Sequence, residues 1–126
     1  MDVLSEFVDK FRRYEFIRRG LDEEINYWGE DVPIMLLFSR IGREIAENFD
    51  SIPPAERIDI LSLIEDGVSS GDLILPDYVA TGLLEALDGA VRRIGGGRRS
   101  KIFVLLGEQS RHYLLEWDKL WGVSDN

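Results

Sequence analysis

Cysteine is absent from this chain and histidine occurs once. The first absence excludes a disulfide framework, a thiolate metal site and a cysteine nucleophile, and it fits a reducing compartment. The second leaves His112 as the imidazole for any Ser-His-Asp arrangement. Ser110 lies two residues away and so points to another side of a helix. His112 and Glu116 share a helical face, but two ligands do not complete a metal site. No apolar run approaches the roughly 20 residues that span a bilayer. The opening MDVLSEFVDKF has acids within its first nine residues and no basic stretch leading into an apolar one, so it does not read as a secretory signal. Together these features predict a soluble, cytoplasmic protein.

Bases are the scarcer charge, 15 against 24 acids, for a formal net charge of −9. The deficit is local. Between Glu44 and Asp88 eleven acids meet one base, Arg57, so this segment carries −10. Arg92, Arg93, Arg98, Arg99 and Lys101 then follow within ten residues with no acid among them. An acid-rich surface repels nucleic acid and anionic lipid at long range and attracts basic surfaces. The expected partner is therefore a basic protein, with no nucleic acid and no membrane, and the expected contacts are Glu56, Asp59, Glu65, Asp66, Asp72 and Asp77. The pairs Glu44 and Glu47, Glu56 and Asp59, and Glu85 and Asp88 are each three apart and share a helix face, a spacing that suits a hard cation. None is joined by the histidine of the Glu-x-x-His pattern. Solvated acidic faces are the simpler reading, and no metal, other cofactor or catalytic constellation is expected.

At 126 residues and 44% hydrophobic, the chain has material for one domain, residues 1–126. Val3, Leu4, Phe7, Val8 and Phe11 recur at helical spacing and predict a helix to about Arg13. A short acidic helix over residues 20–28 would turn Leu21, Ile25 and Trp28 inward. Ile34, Leu37, Phe38, Ile41, Ile45 and Phe49 form the most regular stripe, with Pro33 suited to a first turn. Pro53 and Pro54 open a fourth helix, expected to bury Ile58, Leu61, Ile64 and Val68 and to stop at Ser69-Ser70-Gly71. Asp77 is the expected N-cap of a helix carrying Val79, Leu83, Leu84, Leu87, Val91 and Ile94. Residues 101–106 read equally as a buried strand or a short helix, and helix is favoured because no second strand offers a partner. Tyr113, Leu114, Trp117, Leu120 and Trp121 mark a last helix from about Glu108. The predicted fold is all-α, a compact bundle of five or six short helices.

The stretch "IGGGRRSK", residues 94–101, sets three glycines against three cations. A phosphate loop of the Walker type needs Lys-Ser/Thr order between a strand and a helix, and a dinucleotide fingerprint needs a βαβ unit; neither is present. Arg92 and Arg93 instead suit a last helical turn, and Gly95 suits the left-handed residue after it. The stretch is expected to be a cap and a solvated linker. Core packing is the expectation for Tyr113, Trp117 and Trp121, although Trp121 with residues 122–126 at an edge would make a partner anchor.

Three segments, "PPAERIDILSLIEDG" (53–67), "TGLLEAL" (81–87) and "LGEQSRHYLLEWD" (106–118), together resemble a group of small acidic bacterial proteins of similar length. That group is similar to the immunity proteins that accompany polymorphic and contact-dependent toxins. The resemblance covers about residues 38–121 and brings no catalytic residues with it. It implies a binding protein that neutralises a cognate toxin by covering its basic active surface. A dense acidic face would speed such capture. The alternative is a helical adaptor or regulatory protein-interaction module without a toxin partner.

Overall fold

Asp2 begins the fold by accepting the Ser5 N–H at 2.8 Å, capping α1 (Val3–Lys10). The computed structural model describes residues 2–121 apart from the side chain of Trp121. A 3-10 turn at Phe11–Arg13 leads into α2 (Glu15–Trp28). This helix starts earlier than the expected residue 20 because Phe16 and Ile17 supply another apolar turn; Ile17 is fully buried. Its other end also differs from expectation, since Trp28 is 48% exposed. Then come α3 (Ile34–Asn48), with Pro33 just before its first turn, and α4 (Pro54–Val68), with Pro54 inside its first turn.

The next helix, α5, spans residues 75–94 in three consecutive parts: Leu75–Asp77, the π-helical Tyr78–Leu84, and Glu85–Ile94. Short α6 (Arg98–Phe103) and α7 (Glu108–Trp121) complete the chain. Among the described residues there are seven helices and no strand. The all-α architecture stands, with residues 101–103 in α6 and 104–106 in the turn that follows it, none of them in a strand.

The wide π turn follows from spacing. Leu75, Val79, Leu83, Leu87 and Val91 are all buried and recur every four residues. In an α-helix each such step overshoots a full turn by about 40°, so the row would wind away from the core. A longer turn in the middle absorbs part of that drift. Thr81 eases the change, because its hydroxyl donates at 2.6 Å to the Asp77 carbonyl, the acceptor an α turn would give to its backbone N–H. The Glu85 N–H reaches back to the Ala80 carbonyl, five residues earlier.

α3 is central, packed mainly against α5 and α2. Its contact with α5 is backbone to backbone. A Cβ at Gly42 would overlap the Leu83 carbonyl oxygen, and one at Gly82 would press on Met35 and Phe38. Leu37, Phe38, Ile41 and Ile45 of α3 then meet Leu83, Leu84 and Leu87 in a common buried cluster. Gly42→Ala should destabilise the fold by about 3 kcal/mol, because the clash is with main chain that has no rotamer to change. Urea unfolding of this variant beside Gly89→Ala, whose added methyl has room, checks it; equal stabilities would contradict the close packing.

Candidate functional site

The acid-rich segment divides in the fold into groups used internally and groups facing outward. Glu65 belongs to the first kind. Its carboxylate leaves α4 to accept the Gln109 N–H at 2.9 Å, the Ser110 N–H at 3.0 Å and the Ser110 hydroxyl at 2.9 Å. It thereby caps α7 from another helix, and Ser69 donates to it as well at 3.3 Å. Burial pushes this carboxyl up, but the hydrogen bonds outweigh burial and hold it below its ordinary value. Asp72 is likewise occupied, accepting the N–H groups of Ile74 at 3.0 Å and Leu75 at 2.9 Å. It performs the capping expected of Asp77, whose own position is inside α5 with its side chain exposed.

Four more acids, Asp50, Glu85, Asp88 and Asp118, are engaged by other side chains. Asp88, 3% exposed, accepts from Arg92 at 2.9 Å and Arg99 at 2.7 Å. Both arginines also reach Asp118, at 2.6 Å and 2.9 Å, closing a four-residue charge cluster between α5, α6 and α7. Asp50 takes Arg98 at 2.8 Å, and Glu85 accepts the Tyr113 hydroxyl. Arg98 also donates to the Ala46 carbonyl at 2.8 Å and the Glu47 carbonyl at 3.2 Å, answering acceptors left open at the end of α3. The glycines behave as a cap, with Gly95 at φ 70° donating its N–H to the Val91 carbonyl at 3.0 Å. Arg98 and Arg99 are thus structural ties, a correction to the solvated linker expected there.

Outward lie Glu56, Asp59 and Asp66 on α4, all exposed and with no ion pair or side-chain hydrogen bond among the described residues. Ile58 on the same helix is also 59% exposed, although it was expected in the core. Ile60 takes the buried place, with Leu61 and Ile64. The residues from Ile58 to Ile64 contain enough apolar side chains for either phase, and Arg57 selects one. Its guanidinium donates to the carbonyls of Phe49 at 3.1 Å and Asp50 at 3.2 Å and lies 4.5 Å from the centre of the Phe49 ring. Turning Arg57 toward α3 turns Ile58 toward solvent.

Elsewhere, Ser110 is buried on Glu65 and His112 is exposed, so no nucleophile and base face each other there. Among the described residues no group of three or more histidine or acidic side chains is placed to hold a metal ion. No helix among them is long and apolar enough to cross a membrane. The anchor expected at Trp121 and residues 122–126 lies outside the described side chains, and Trp117 is partly buried. The exposed aromatic pair is instead Tyr27 and Trp28, edge to face at 5.4 Å. Comparison with protein-family models, curated proteins and solved structures finds no match to this chain.

Two outcomes follow. Glu65→Ala should cost about 1 kcal/mol at neutral pH, the usual worth of a cap. A depressed carboxyl stabilises the fold above its unfolded pKa and loses that contribution as pH falls through the folded one. The difference between parent and Glu65→Ala in urea unfolding should therefore shrink between about pH 6 and pH 3; a constant difference would contradict the capping role. Arg99→Ala, which removes one of the two arginines bridging Asp88 and Asp118, should cost about 2–3 kcal/mol. Thermal melts of this variant test whether the tie is structural.

Proposed function

We propose that the protein is a binding protein of the immunity type, which neutralises a cognate basic toxin by covering its active surface with the outer face of α4. The supporting observation is an exposed apolar residue, Ile58, on the same helix as three unengaged carboxylates, Glu56, Asp59 and Asp66, of which Asp59 and Asp66 lie toward its side of α4. Cleavage of nucleic acid requires a cationic cleft, and lysine and arginine pair an apolar stem with a charged head. Carboxylates would meet the heads while Ile58 meets the stems and excludes water between them. Internal ties consume much of the cationic charge on Arg40, Arg92, Arg98 and Arg99, so little of it opposes the outward acids. Long-range steering by the remaining negative field speeds encounter. Of the six contacts expected from sequence, Glu65 and Asp72 leave the set because their oxygens already hold backbone N–H groups.

The alternative, an adaptor without a toxin partner, draws on a different face. Tyr27, 81% exposed, and Trp28 form an aromatic step at the end of α2, and aromatic pairs of this kind are frequent interface anchors.

Charge reversal separates the two readings. A protein partner recovered from the native host should be basic, and Glu56→Lys, Asp59→Lys and Asp66→Lys together should slow association at least about tenfold and abolish its salt dependence. Stability should change little, as surface substitutions usually do. Binding kinetics at two salt concentrations provide the measurement. An acidic partner, or unchanged kinetics in the reversed protein, defeats the docking model; loss of binding in Trp28→Ala alone establishes the adaptor face.

A further inference from the structure

The geometry points to self-association: the protein forms a two-fold dimer in which Leu73 of each copy enters an apolar groove of the other, walled by Val3, Leu4, Ile34 and Ile74. This surface shares no residue with the outer face of α4, so the inference goes beyond the docking reading and does not depend on it.

The knob is Leu73. It is 95% exposed, and no other large apolar side chain among the described residues is as open to solvent. The turn that carries it is pinned on both sides. The Ser70 hydroxyl accepts the Asp72 N–H at 3.0 Å, and the Asp72 carboxylate accepts the Ile74 N–H at 3.0 Å and the Leu75 N–H at 2.9 Å. Folding has therefore already ordered the backbone at Leu73, and seating its side chain in a partner costs little further entropy.

The hole lies beside it. Ile74, the next residue, forms one wall of the groove; Val3 and Leu4 of α1 and Ile34 of α3 form the others, and Ser5 lines it too. The groove encloses about 180 Å³. Truncating one buried leucine to alanine leaves a cavity of about 150 Å³. The groove is therefore of the size that a single leucine side chain fills.

A knob next to a hole on one surface is self-complementary. A two-fold axis between them seats both knobs in both holes at once, the reciprocity of an isologous interface. A partner offering only a leucine leaves Leu73 uncovered, and one offering only a hole leaves this groove empty; a second copy satisfies both. Charge agrees with this placement. Copies of a chain at −9 repel each other. They approach best where carboxylates are already turned onto donors, and here Asp2 caps α1 and Asp72 caps the start of α5. Two leucines and two grooves make a small contact, below the roughly 1,200 Å² of stable interfaces, so the dimer is weak and concentration-dependent.

Sedimentation of the full chain from about 5 to about 500 µM at two salt concentrations tests the assignment. A dimer with Kd between about 10 and about 300 µM is expected. It should tighten in high salt, which screens the repulsion between acidic copies, whereas docking through the α4 carboxylates weakens. Leu73→Asp should weaken dimerisation at least about a hundredfold, because each dimer loses two buried leucines, while leaving Tm nearly unchanged. The chain has no cysteine, so an introduced thiol reports its own position. Leu73→Cys copies mixed with Ser5→Cys copies should form a mixed disulfide at least about tenfold faster than either variant forms one with itself. A parent that stays monomeric at about 500 µM overturns the proposal. So does a dimer that weakens in high salt or persists in Leu73→Asp, or a mixed disulfide that forms no faster than the Leu73→Cys pair.

Discussion

Two helix backbones meet at Gly42 and Gly82, and the arrangement of the remaining helices depends on that approach. Without side chains at the crossing, α3 and α5 come close enough for Phe38, Ile41, Leu83 and Leu87 to share one buried cluster. Dispersion and burial scale with the area brought together, so the two glycines act through their neighbours more than through themselves. With α5 fixed on one side of α3, α2 packs against another, and α4 closes over the π-helical part of α5 and the start of α7. The face of α4 that remains outward is the one carrying Ile58.

Apolar packing does not hold everything. α6 has six residues and buries Ile102, too little to fix its place alone. Charge does that work: Arg98 grips the end of α3, and Arg99 joins Arg92 in bridging Asp88 and Asp118. A buried charge cluster of this kind is costly to desolvate and tolerates little misplacement. It constrains geometry more than it adds stability. The surface is acidic because acids outnumber bases 24 to 15, and each internal ion pair withdraws an acid along with its base.

Helical stripes were the legible part of this sequence. Phe38, Ile41, Ile45, Leu84 and Val91 lie where their spacing puts them, because the 3.6-residue period records burial directly. Partner choice was not legible in the same way. Glu65 and Asp66 are adjacent and chemically alike, yet one caps a distant helix and the other faces water. The sequence around them does not reveal this, because the N–H groups that Glu65 caps, those of Gln109 and Ser110, lie more than forty residues away. Ile58 was misplaced because α4 has apolar residues for two phases, and a side-chain contact of Arg57 with α3 breaks the tie. Arg98 and Arg99 read as solvated because glycine-flanked cations usually are. One clue was available and unused, the strict four-residue recurrence from Leu75 to Val91, which an unbroken α-helix cannot keep on one side.

That recurrence gives α5 an unusual property, which is that its two ends are indexed by residue count. Its first turn takes its bearing from the Asp72 cap, and its last turn presents Asp88 and Arg92 to the charge cluster. The widened segment between them sets the angle from one to the other. Relaxing that segment to ordinary α pitch with its residue count unchanged would swing one end by about 100° relative to the other. Such a change would separate the Asp72 cap from its N–H groups or carry Asp88 away from Arg99, while scarcely altering hydrophobicity. Along this helix, drift in composition is tolerable where a change of pitch is not.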